Sequence, residues 1–156
     1  MRVRVPIVLL VVSLSVAGLP AQAKPDLSGE WTLVLEKSDF GQMTMPTKMT
    51  RVISHKEPTL KIVTSQSTPT GDTRVETTFS TDGKPQQNSI NGSDMTTIGA
   101  WQGATLVLKS TIKAEGGDVT IEDRYVLSDA GKTLTLTRNL TSPQGATIAK
   151  MSMIKK

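Results

Sequence analysis

From Trp31 to the end of the chain, apolar and polar residues alternate with a period of two, and turn residues interrupt the alternation roughly every ten residues. In a strand, successive side chains point to opposite faces, so this pattern suits a half-buried β-strand and no helix of useful length. Trp31, Leu33 and Leu35 share one face of the first strand, and Met49, Arg51 and Ile53 alternate with Thr50, Val52 and Ser54. After Glu57-Pro58 come Leu60, Ile62 and then Val75, Thr77 and Phe79, with Ser67 to Asp72 read as a loop. Thr81-Asp82-Gly83-Lys84 reads as a hairpin turn, because Asp-Gly supplies the positive φ that tight turns need. The grammar repeats through Met95, Thr97 and Trp101; Leu106, Leu108 and Ile112; Ile121, Asp123 and Tyr125; Leu134, Leu136 and Arg138; and a last strand from about Ala146 to Ile154.

Short turns leave each strand beside its predecessor, and the stable arrangements are a closed up-and-down barrel or a sandwich. The lack of long crossover loops favours the meander. The expected fold is therefore all-β, an antiparallel up-and-down barrel of roughly 8–10 strands. The 22 threonines agree, since a β-branched side chain fits a pleated, half-wet surface.

The first 23 residues follow another pattern. Arg2 and Arg4 precede the apolar stretch Val5 to Ala17, and Ala21-Gln22-Ala23 supplies the small-x-small signature of a cleavable signal peptide. Residues 1–23 are thus expected to be removed, leaving 24–156 as one domain that works in the periplasm or outside the cell, with no integral membrane segment. The chain has no cysteine, so neither a disulfide nor a lipid anchor on a mature N-terminal cysteine is available. A domain of this size buries about two-thirds of its unfolded surface without such staples. Removing Arg2 and Arg4 lowers the formal charge from +4 to +2, and the remaining basic residues lie scattered among acids. That distribution argues against nucleic-acid binding.

Gly29-Glu30-Trp31 followed by Leu33-Val34 resembles the first-strand Gly-x-Trp of the calycins, the group of lipocalins and fatty-acid-binding proteins. Arg51-Val52-Ile53-Ser54-His55-Lys56 before Leu60-Lys61-Ile62 is similar to the early hairpin of the fatty-acid-binding type, and Ala100-Trp101-Gln102-Gly103 to its late Trp-x-Gly hairpin. Small lipocalin-like proteins exported by bacteria show a similar pattern. The resemblance implies a plug formed by Gly29 and Trp31, with Arg138 from a late strand packed on the ring. It also implies a small apolar or amphipathic ligand inside the barrel. Two departures stand out: Lys37 to Thr47 is too short for the helical lid of fatty-acid-binding proteins, and Met151-Ser152-Met153 replaces their C-terminal Arg-x-Tyr carboxylate clamp.

Polar or aromatic residues on otherwise apolar faces are the candidate ligand contacts: Arg51, Trp101, Asp123, Tyr125 and Arg138. An inward charge without a partner is costly, so Asp123 and Arg138 could instead form an ion pair. The methionines offer a soft, adaptable wall and serve equally as core filling. Catalysis has little to work with: one histidine, His55, no cysteine, and adjacent Glu122 and Asp123 on opposite strand faces. No catalytic residue, metal site or cofactor is expected. Ligand binding within the barrel is the leading expectation, and a filled-core barrel acting through its outer surface as an interaction module is the alternative.

Overall fold

Every strand but one pair hydrogen-bonds to both of its sequence neighbours, and the chain's two ends join each other. In the computed structural model, which describes residues 24–90 and 92–156, the strands are β1 (Gly29–Leu33), β2 (Lys48–Lys56), β3 (Thr59–Thr68), β4 (Gly71–Ser80), β5 (Asp82–Ile90), β6 (Ser93–Gln102), β7 (Thr105–Ile112), β8 (Val119–Ser128), β9 (Thr133–Ser142) and β10 (Gly145–Lys155). They form one antiparallel sheet in the order β4-β3-β2-β1-β10-β9-β8-β7-β6-β5. Pairing of β1 with β10, Trp31 opposite Lys155 and Leu33 opposite Met153, wraps the meander into a nearly closed barrel. The remaining seam, between β4 and β5, has no ladder and is bridged by Asn88, whose Nδ2 donates to the Thr78 carbonyl at 3.1 Å.

Two local expectations change. Ser67 to Asp72 is not a loop: β3 runs to Thr68 and β4 begins at Gly71, with only Pro69 and Thr70 between them. Thr81 to Lys84 is not a hairpin turn, because β4 and β5 do not pair; Asp82 already belongs to β5, which pairs with β6. The predicted signal peptide, residues 1–23, lies outside the described residues. Among the described residues no helix is long and apolar enough to cross a membrane.

The alternation sorts side chains between lumen and exterior, and the lumen is filled at one end. Leu27, Trp31, Leu60, Leu106, Leu108, Leu134, Leu136 and Met153 are all fully buried there. The Trp31 indole donates from Nε1 to the Leu27 carbonyl at 3.0 Å, satisfying its polar edge. The Lys155 ammonium lies 5.3 Å from the ring centroid, within cation–π range. Its aliphatic stem crosses Gly29, where a Cβ would come within 2.5 Å of Lys155 Cε and where φ is +143°. Glycine is therefore favoured two residues before the tryptophan on conformational grounds, and any larger residue would also push the Lys155 stem aside.

The cation on Trp31 is thus Lys155 and not Arg138. Lys155 pairs with Trp31, whereas Arg138 pairs with Ala149, six residues earlier in β10. That offset is roughly 20 Å along the strand. Trp31→Ala is expected to cost about 3–5 kcal/mol, read as a fall in the urea midpoint at unchanged m-value. A midpoint equal to that of the wild type would remove Trp31 from the closing role.

Candidate ligand-binding site

Beyond the filled end the lumen is hollow. The cavity measures about 660 Å³, and no leucine lines it. Its apolar wall comes from Phe40 and Met43 in the β1–β2 connection, Met49 on β2, Phe79 on β4, Met95 on β6 and Met151 on β10. The connection itself is one 3₁₀ turn, Leu35–Lys37, followed by a bend, so Phe40 and Met43 cover the mouth without a helical lid. Ligand cavities usually span about 300–1,000 Å³, so the volume suits a small molecule of lipid or steroid size.

Four of the five residues singled out as ligand contacts, Arg51, Asp123, Tyr125 and Arg138, line this cavity. β9 sets Arg138 directly opposite Asp123 on β8. The guanidinium donates from Nε at 2.7 Å and from Nη2 at 2.6 Å to the two carboxylate oxygens, a bidentate pair. Burial pulls the Arg138 pKa down, but the attraction and hydrogen bonds of Asp123 outweigh it and hold the group above the usual arginine range. The guanidinium therefore stays charged, with both of its bonded hydrogens directed at the Asp123 carboxylate oxygens.

Arg51 is held differently. It is 5% exposed and donates from Nη1 to the Tyr125 phenolic oxygen at 3.0 Å, while its buried Nε has no hydrogen-bond partner. No carboxylate lies within ion-pair distance of it among the described residues. Burial, against the pull of nearby Arg51, pushes the Tyr125 phenol upward, so at neutral pH it is a hydroxyl whose proton can point to a guest. Ser110, also on the cavity wall, exchanges a 2.8 Å hydrogen bond with Thr97.

Trp101 does not line the cavity. It sits toward the filled end, where its Nε1 donates to Glu57 Oε1 at 2.7 Å and its ring lies 5.8 Å from that of His55. Glu57 also accepts from Lys24 Nζ at 2.7 Å, from Thr81 Oγ1 at 2.9 Å and from His55 Nε2 at 2.9 Å. The His55 Nδ1 accepts the Leu27 backbone N–H at 3.3 Å and lies 3.7 Å from Asp26 Oδ1. One histidine is thereby gathered with two carboxylates, the grouping that would suggest acid–base chemistry. Its geometry is that of a latch: the His55 side chain is 4% exposed, and the contacts tie residues 24–27 to the β2–β3 turn.

Desolvation pushes the Glu57 carboxyl up, but donation from Lys24, His55, Trp101 and Thr81 prevails and holds it down at about 2. Glu57 is thus a poor proton acceptor at neutral pH. Because its folded pKa lies below the ordinary value of 4.5, its contribution to stability is present above that value and lost as pH falls toward 2. The urea midpoints of wild type and Glu57→Gln are expected to differ at pH 6 and to converge between pH 4.5 and 2. A gap that persists unchanged at pH 2 would contradict the latch.

The latch escapes sequence reasoning because its parts meet only after the barrel closes. Lys155 is missed for the same reason. Phe40 stands in a stretch with no strand alternation to mark it as inward, although it is buried and lines the cavity. A second depression, about 640 Å³, lies on the outer face of β1–β4 among polar side chains, with Lys48 and Asp72 exposed and Thr50 and Ser65 half-buried. It lacks the apolar wall and the buried guanidinium of the lumen.

Comparison with solved structures places the architecture. Secretory abundant heat soluble protein 4 from Ramazzottius varieornatus superposes with a TM-score of 0.59 at 18% identity, covering 86% of this chain and 97% of that one. Human cRBP IV gives 0.58 at 18% identity, with 85% and 99% covered. Zebrafish ileal bile acid-binding protein complexed with cholic acid gives 0.54 at 16%, with 83% and 98% covered. The fold is the calycin barrel. No family model and no curated protein matches the sequence. In this chain the Met151-Ser152-Met153 stretch of β10 turns Ser152 outward, and its two methionines face the cavity and the filled core.

Proposed function

We propose that this calycin barrel is an exported, non-enzymatic protein that binds one small amphipathic molecule in its lumen, for sequestration or transport. The observation that carries the reading is the cavity of about 660 Å³, walled by methionine and phenylalanine and holding the buried Arg51–Tyr125 contact. An apolar body would gain from leaving water against the soft Met43, Met49, Met95 and Met151 wall, which adapts to guests of differing shape. A polar end would be oriented by Arg51 and Tyr125. Support also comes from the zebrafish neighbour, which is complexed with cholic acid, itself amphipathic. In the Glu57–His55 latch the Glu57 carboxyl is held low, at about 2, by its donors, and among the described residues no three His, Cys, Asp or Glu side chains, this cluster included, are placed to hold a metal ion.

Export rests on the leader pattern of residues 1–23. N-terminal sequencing of protein recovered from the periplasm or medium is expected to begin at Lys24; a chain that keeps residues 1–23 in the cytoplasm would overturn the export reading. For binding, the uncharged fluorophore N-phenyl-1-naphthylamine is expected to brighten on one saturable site per chain. Enlarging a wall residue, as in Met151→Trp, should weaken that binding at least tenfold while leaving the fold intact by circular dichroism. Absence of any saturable signal, together with no small-molecule adduct in native mass spectrometry, would sink the reading.

A further inference from the structure

The sheet does not close between β4 and β5, and its two free edges differ. β5 is guarded in the ways that prevent edge-to-edge pairing: Lys84 is exposed, Pro85 has no N–H to offer, and the register shifts between Asp82 and Pro85. The first half of β4 has none of these devices. Its ladder with β3 runs unbroken from Thr59 opposite Ser80 to Thr68 opposite Gly71, and every residue from Gly71 to Glu76 is exposed. The stagger across the seam explains that exposure. Asn88 reaches the Thr78 carbonyl, yet β5 ends two residues later at Ile90, whereas β4 extends seven residues from Thr78 to Gly71. The first half of β4 therefore overhangs the end of β5 with no strand beside it.

Along an antiparallel strand each residue points its N–H and C=O to one side, and the side alternates. The Thr78 carbonyl points toward β5, and the Thr81 N–H points toward Pro58, next to β3. Asp72, Arg74 and Glu76 thus turn their backbone groups to the open edge, with their side chains on one face. Glu76 is already paired with Lys61 Nζ at 2.7 Å. Arg74 bonds the neutral Ser65 hydroxyl at 3.2 Å, and Asp72 has no ion-pair partner among the described residues.

We propose that the overhanging edge of β4 is a self-association surface, on which a second copy of this chain adds its own β4, antiparallel, about a two-fold axis at Thr73. The register follows from charge, once edge-facing residues are required to meet edge-facing residues. Axes at Asp72 or Arg74 set two aspartates or two arginines directly opposite, which is destabilising. An axis at Val75 brings Asp72 of the second copy onto Thr78, whose carbonyl Asn88 already holds. An axis at Thr73 sets Asp72 opposite Arg74 of the second copy on both sides, and each pair exchanges both of its backbone hydrogen bonds. A two-fold contact of this kind closes after two copies. The edge offers far fewer than the roughly 20–30 residues a side of a standard interface, so the dimer is weak and reversible.

Sedimentation velocity between about 10 µM and about 1 mM protein is expected to show a monomer–dimer equilibrium that weakens with added salt. Asp72→Arg and Arg74→Asp should each weaken the dimer about tenfold or more by opposing like charges. An equimolar mixture of these two variants should associate again, as should Asp72→Arg/Arg74→Asp, because each arrangement restores both opposite-charge pairs. The register is read by cross-linking, since the chain has no cysteine of its own. Thr73→Cys sets two thiols across a non-hydrogen-bonded pair with Cα atoms about 4.5 Å apart, a separation that disulfides bridge. Oxidation by diamide should then give a covalent dimer, and Val75→Cys should give none. A monomer at every concentration would overturn the proposal. So would single charge reversals without effect, a covalent dimer from Val75→Cys and none from Thr73→Cys, or a wild-type complex whose added mass is a peptide of another protein.

Discussion

The ladder between the first and last strands is the contact on which the rest of the molecule depends. β1 is only five residues long, yet it pairs with β2 on one side and β10 on the other, and so turns an open meander into a barrel. The same pairing sets Lys155 beside Trp31 and lays its stem across Gly29. Without that closure the Trp31 ring would lose its cation, and the leucines of β7 and β9 would have no opposite wall to pack against. The latch joining Lys24 and Leu27 to Glu57 and His55 reinforces the same end from outside the sheet.

A barrel closed this way divides its interior by residue size and chemistry. Toward the plugged end the inward positions are leucines, which fill the lumen. Toward the mouth they become methionine, serine, threonine and the charged residues of the cavity. Charge can persist in that half because Asp123 and Arg138 compensate one another across adjacent strands. Arg51 is the exception, and a buried cation left short of partners costs stability that a structural role alone does not return. The hollow half and its uncompensated arginine occur together, and the proposed binding role rests on that coincidence.

Much of the frame was legible in the residues themselves. Alternation put Arg51, Asp123, Tyr125 and Arg138 on otherwise apolar faces of β2, β8 and β9, and in the structure these side chains line the lumen. β5 was not legible: Asp82-Gly83-Lys84-Pro85-Gln86-Gln87-Asn88 carries no apolar alternation, because neither face of this strand buries a side chain. Trp101 was misplaced for a different reason. Its face was inward as expected, but its height along the barrel depends on strand stagger, which puts it beside Glu57 and not beside Tyr125. Stagger likewise separates Arg138 from Trp31. Local pattern reports which way a side chain points, whereas its level in the barrel is decided by closure between distant strands.

The central claim, a barrel filled at one end and receptive at the other, is tested most directly by its methionines. Met43, Met49, Met95 and Met151 line the cavity, Met153 is sealed in the filled end, and Met45 is 57% exposed. Titration of methyl-¹³C-methionine protein with an amphiphile, followed by methyl NMR, is predicted to shift the four cavity resonances together with one binding curve, leaving Met153 and Met45 in place. A saturable shift confined to Met45, with the cavity methyls unmoved, would contradict it.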